Sequence, residues 1–131
     1  MLRRSVKWVM IIAGALTCTM FYAAFAPHEV LQSNFGQTIE GPVGEVVVRN
    51  WGVLVGLVGV LLIYGAFREH TRSVALLVAG ASKLVFIGLV LSLGWPLIQL
   101  PLGVALVLDA IMVTLFATYL ASEALAKRRR A

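Results

Sequence analysis

The sequence predicts an all-α membrane protein: an antiparallel four-helix transmembrane bundle with both termini cytoplasmic. Three observations predict it. Of the 131 residues, 60% are hydrophobic and 13% charged, against roughly 25% charged in soluble proteins. The apolar residues gather into four runs, each near the ~20 residues with which a helix rising ~1.5 Å per residue crosses ~30 Å of hydrocarbon. Lys and Arg then collect at alternate ends of those runs, as they do when basic loops stay on the cytoplasmic side.

The runs cover residues 8–26, 44–67, 74–94 and 100–121, so the chain is read as one transmembrane domain over residues 1–131. The first resembles a secretory signal, with Arg3, Arg4 and Lys7 before it and Ala24-Phe25-Ala26 like a cleavage site. Its length exceeds the ~7–15 residues of a signal core, and Pro27 just after the cut hinders processing, so it is read as a retained helix. Residues 27–43 form the one long connection, and Asn34, Gly36, Gly41 and Pro42 predict turns and irregular chain there, a short lid over the bundle mouth.

Arg3, Arg4 and Lys7, then Arg68 and Arg72, then Lys127, Arg128, Arg129 and Arg130 mark the cytoplasmic face. Arg49 on the other face is matched by Glu29, Glu40 and Glu45. Trp8, Tyr64 and Tyr119 fall near one interface and Tyr22, Trp51 and Trp95 near the other, where amphipathic rings sit without any binding duty. The formal net charge of +5 therefore reflects membrane-flanking residues. No aromatic-basic alternation forms a stacking platform, and nucleic acid is not an expected partner.

Chemistry is poorly provided for. The two histidines, His28 and His70, fall on opposite faces without ligand spacing, so no metal or other cofactor is expected. Cys18 is the sole cysteine and sits in an apolar stretch, which makes it a packed thiol rather than a redox partner. No nucleophile stands beside a base, and catalysis is not expected.

Gly52, Gly56 and Gly59 fall at i, i+4 and i+7 and so share a helix face that lets another backbone come close. Packing against a helix of the same chain is favoured over self-association. Lys83, inside the run ASKLVFIGLVL, is the conspicuous anomaly. A charge at mid-span costs at least about 2.5–3.5 kcal/mol, and a partner is at hand. Counting back from Gly94 puts Lys83 at a depth of about 16 Å, and counting on from Pro101 puts Asp109 at about 12 Å. The turn GWPLIQLP makes their helices neighbours, so an intramembrane ion pair is expected. Arg49 is expected to reach either down towards Asp109 or back to Glu45, giving a polar track of Glu45, Arg49, Asn50, Asp109 and Lys83.

The run VVVRNWGVLVGLVGVLLIYGAF, followed by a basic turn and SKLVFIGLVLSLG, resembles the small four-helix bacterial membrane proteins of the DoxX-like kind and related domain-of-unknown-function families. The resemblance covers the second and third spans. It implies a four-helix bundle in a bacterial inner membrane and carries over no catalytic residue. The expected function is binding, as a structural or accessory subunit or as holder of a lipid-like or small amphipathic ligand. The expected partners are membrane lipids and either a second copy or another membrane protein. The alternative is a small oligomeric transporter or channel using the Lys83–Asp109 pair.

Overall fold

A computed structural model describes residues 2–131, and these are helical with no strand among them. The order is α1 (Leu2–Cys18), a 3-10 turn (Thr19–Phe21), α2 (Tyr22–Phe25), α3 (Pro27–Phe35), α4 (Pro42–Phe67), α5 (Glu69–Leu93), a second 3-10 turn (Trp95–Leu97) and α6 (Leu100–Arg130). Four stretches are long and apolar enough to cross a membrane: Arg3–Phe25, Pro42–Phe67, Glu69–Leu93 and Pro101–Arg130. Their exposed surfaces are lined by side chains such as Leu54, Leu57, Leu77, Leu84, Leu89, Val107 and Ile111, as in a multi-pass membrane protein.

Local chemistry sets the breaks. Between α1 and α2, the Thr17 hydroxyl donates to Ala13 O and the Thr19 hydroxyl to Leu16 O, a back-bonding that disturbs the ladder and tightens the turn that follows. Ala26 leaves the helical region (φ −131°, ψ 66°) because it precedes Pro27. Pro27 then opens α3 at its first turn, and Gly36 closes it in the left-handed conformation at φ 68°. Residues 27–43 are thus no simple loop: a nine-residue helix occupies the first half, and irregular chain is confined to the stretch between Gly36 and Pro42.

The link between α4 and α5 is a single extended residue, Arg68 (φ −120°, ψ 100°), where the sequence suggested a basic loop reaching to residue 73. Arg72 is consequently in the first turns of α5 and is only 5% exposed. At the far end α6 runs on to Arg130, well past the expected stop at residue 121.

Small residues bring the helices together, as they do where lipid offers no hydrophobic drive. Gly52, Gly56 and Gly59 of α4 meet Met20, Ala23, Phe21, Cys18 and Gly14 of the first span. A Cβ on Gly59 would stand 2.7 Å from both Cys18 N and Gly14 O, so the two backbones touch. Gly65 abuts Ala75 where α4 meets α5, and α5 and α6 also pack against each other. One buried cluster (Val6, Met10, Ala13, Leu62, Ala66, Ala75, Leu76, Ala79, Met112, Phe116 and Tyr119) joins all four spans near the end that carries both α1's start and α6's finish. At the opposite end α3 lies against the bundle with Val30 and Leu31 buried, the Phe35 and Trp51 rings 6.5 Å apart, and Gly36 beside Gln99.

Candidate functional site

The inward face of α5 reads Arg72, Leu76, Ala79, Gly80, Lys83 and Val90, and that of α6 reads Leu102, Asp109, Met112, Phe116, Tyr119 and Glu123. Helical spacing therefore lays polar and apolar layers along one seam. The middle polar layer is Lys83 and Asp109. Lys83 Nζ donates to Asp109 Oδ1 at 2.5 Å, and the side chains are 11% and 18% exposed. With both side chains little exposed, an ammonium and a carboxylate are costly singly and tolerable together.

The second polar layer was not anticipated. The Arg72 guanidinium donates from Nη2 to Ala66 O at 2.8 Å and from Nε to Gly65 O at 3.3 Å. Those carbonyls belong to the last turn of α4, which has no further residues to satisfy them. The same guanidinium lies beside the Tyr119 hydroxyl. Tyr119 donates to Glu123 Oε1 at 2.8 Å, and Ser73 donates to Glu123 Oε2 at 3.3 Å. One cluster thus ties together the ends of α4, α5 and α6. Two signals in the sequence could have located it: Tyr119 and Glu123 at i, i+4, and an arginine within one turn of the point where α5 begins.

Between the two layers lies an apolar plug in which Leu76 and Ala79 are fully buried, Phe116 is 1% exposed and Met112 is 9% exposed. Among the described residues no polar side chain hydrogen-bonds across it. The seam holds charge at two levels, separated by buried apolar side chains.

The remaining residues of the expected polar track lie elsewhere. Arg49 pairs with Glu45 at 3.6 Å and also donates from Nη1 to Ala24 O, so it reaches back along α4 and across to α2 rather than towards Asp109. Glu45 also meets His28 Nε2 at 3.4 Å, while His28 Nδ1 contacts the Thr38 hydroxyl at 2.8 Å. Asn50 is exposed. Glu45 and Arg49 thus fasten α4 to α2 and, through His28, to α3, apart from Lys83 and Asp109. Cys18 is partly buried, its Sγ 3.7 Å from Gly56 O across the α1–α4 contact.

Among the described residues no group of three or more His, Cys, Asp or Glu is placed to hold a metal ion. One shallow surface depression lies beside His28, Gln32 and Thr38 and another along a single face of α6 at Ser122 and Arg129. Neither touches the seam. No protein-family model, curated protein or solved structure matches this chain.

Proposed function

We propose that this protein is a small inner-membrane protein of bacterial type that acts by binding, as an accessory subunit whose outer helix faces meet lipid and either a second copy or a partner membrane protein. In this reading the bundle is antiparallel and both termini are cytoplasmic. Support for the arrangement comes from the contact pairs, in which Gly14 opposes Gly59, Ala23 opposes Gly52, Ser73 meets Glu123 and Lys83 meets Asp109. The basic residues at the ends of α1, α4 and α6 support the orientation, and a DoxX-like bundle fits both. No enzymatic step and no cofactor is part of the proposal.

The observation that carries it is the bond between Lys83 and Asp109, a matched pair that needs no ligand to neutralise it. The test is the doubly substituted Lys83→Met, Asp109→Leu protein. A binding subunit keeps its cellular role once both charges are gone and the fold is intact. A folded but inactive double variant would overturn the proposal.

The alternation of polar layers along the α5–α6 seam favours a second reading, transport, because ionisable groups inside a membrane often mark a path. In that reading the path is completed in an oligomer. Reconstitution in liposomes loaded with a pH-sensitive dye separates the two. A proton or ion flux that vanishes with Asp109→Leu supports transport, and no flux above empty liposomes supports binding.

A further inference from the structure

At the end of the molecule where α1 begins and α6 finishes, three cationic side chains are engaged within the fold. Arg3 pairs with Glu69 at 3.8 Å, Lys7 Nζ lies 4.7 Å from the centre of the Phe67 ring, and Arg72 caps α4. Six others have no hydrogen-bond, ion-pair or ring partner among the described residues: Arg4, Arg68, Lys127, Arg128, Arg129 and Arg130. All six are exposed.

Four of them are consecutive on α6. At 100° per residue, four successive side chains point to nearly every side of the helix. A protein groove or a nucleic-acid backbone approaching from one side could engage only some of them. A layer of anions that surrounds the helix engages all four.

Length supplies the position. The 31 residues of α6 extend about 46 Å at ~1.5 Å each, whereas ~30 Å of hydrocarbon consumes about 20 residues. Counted from Leu100, the basic turn stands about 10–15 Å beyond the hydrocarbon edge, just past a headgroup layer some 5–7 Å deep. Side chains on a helix lean towards its N-terminus. Here that direction is back towards the bilayer, so the long arms of Lys127 and Arg128–Arg130 return to the level of the phosphates.

We infer that this end of the bundle is a docking surface for anionic phospholipid headgroups, with the basic turn of α6 as its main element and Arg4 and Arg68 as flanking contacts. The surface selects lipids by the net negative charge of the headgroup. It holds them at the rim of the seam's Arg72–Glu123 cluster.

The test uses the whole chain purified in zwitterionic detergent, titrated with phosphatidylglycerol or with phosphatidylcholine of the same acyl chains, while the midpoint of thermal unfolding is followed. Phosphatidylglycerol raises the midpoint and phosphatidylcholine does not. In the K127Q/R128Q/R129Q/R130Q protein the affinity for phosphatidylglycerol falls at least about tenfold. Raising salt to about 1 M, where the screening length is about 3 Å, abolishes most of the shift. Equal shifts with both lipids, an unchanged affinity in the variant, or the same stabilisation by inorganic phosphate alone would each overturn the inference. Should the variant not fold, the salt titration of the unsubstituted chain decides, and a shift that persists in high salt rejects the lipid surface.

Discussion

Lys83 and Arg72 carry the same charge on the same helix, yet their surroundings treat it differently. Lys83 faces one carboxylate, and each partner's cost is offset by the other. Lys83→Met alone leaves a buried carboxylate and Asp109→Leu alone a buried ammonium, each a defect of about 3–5 kcal/mol, while the double change recovers most of the folded yield. Fluorescence-detected size exclusion of the three variants measures this, and single variants that behave as the parent would show the pair to be inconsequential. Arg72 instead satisfies two carbonyls at a helix end. Arg72→Leu orphans both and costs about 1.5–3 kcal/mol in thermal unfolding. Arg72→Lys restores the charge but not the fork that reaches two acceptors, so only part of the loss returns. Full recovery with lysine would mean that charge alone matters there.

At the level of the helices, glycine positions make the sharpest contrast. A methyl group on Gly59 meets backbone atoms at 2.7 Å, so Gly59→Ala forces α1 and α4 apart at about 1–3 kcal/mol. Gly80 has nothing within 4 Å of such a methyl, and Gly80→Ala is neutral or stabilising by up to about 1 kcal/mol through helix propensity. Equal effects at the two sites, read by thermal unfolding, would contradict the close α1–α4 approach. The four long helices were legible because hydrocarbon imposes length and composition together. The expected pairing of Lys83 with Asp109 rested on the short turn between α5 and α6, which fixes the offset between neighbours. Helix α3 was missed although Pro27 and Gly36 are a start and a stop signal, because Asn34, Gly36 and Gly41 read equally well as loop. Arg72 was missed because an arginine beside a span reads as a topology marker, and its capping role depends on the one-residue link at Arg68. Arg49 had two partners within reach in the sequence, and only packing against α2 decides between them.

For the molecule as a whole, charge is polarised along the bundle axis. Nine of its eleven basic residues lie at the end that carries both α1's start and α6's finish, and the opposite end has Arg49 among Glu29, Glu40 and Glu45. With Cys18 replaced by Ala, single cysteines at position 70 and at position 131 are expected to react with membrane-impermeant maleimide only after the cytoplasmic side is opened. A cysteine at position 40 is expected to react in intact cells. Labelling of position 70 or 131 in intact cells would invert the proposed orientation.

The bond across the α5–α6 seam joins residues 26 positions apart, and a ribosome adds roughly 5–20 residues per second. Lys83 is therefore made some seconds before the carboxylate that will neutralise it. During that interval α5 carries an ammonium without its carboxylate partner, at a cost of about 2.5–3.5 kcal/mol in mid-span. Assembly of this small bundle is thus paced by translation: a pause between codons 83 and 109 lengthens the exposure of the intermediate, and the doubly neutral chain has no such waiting period.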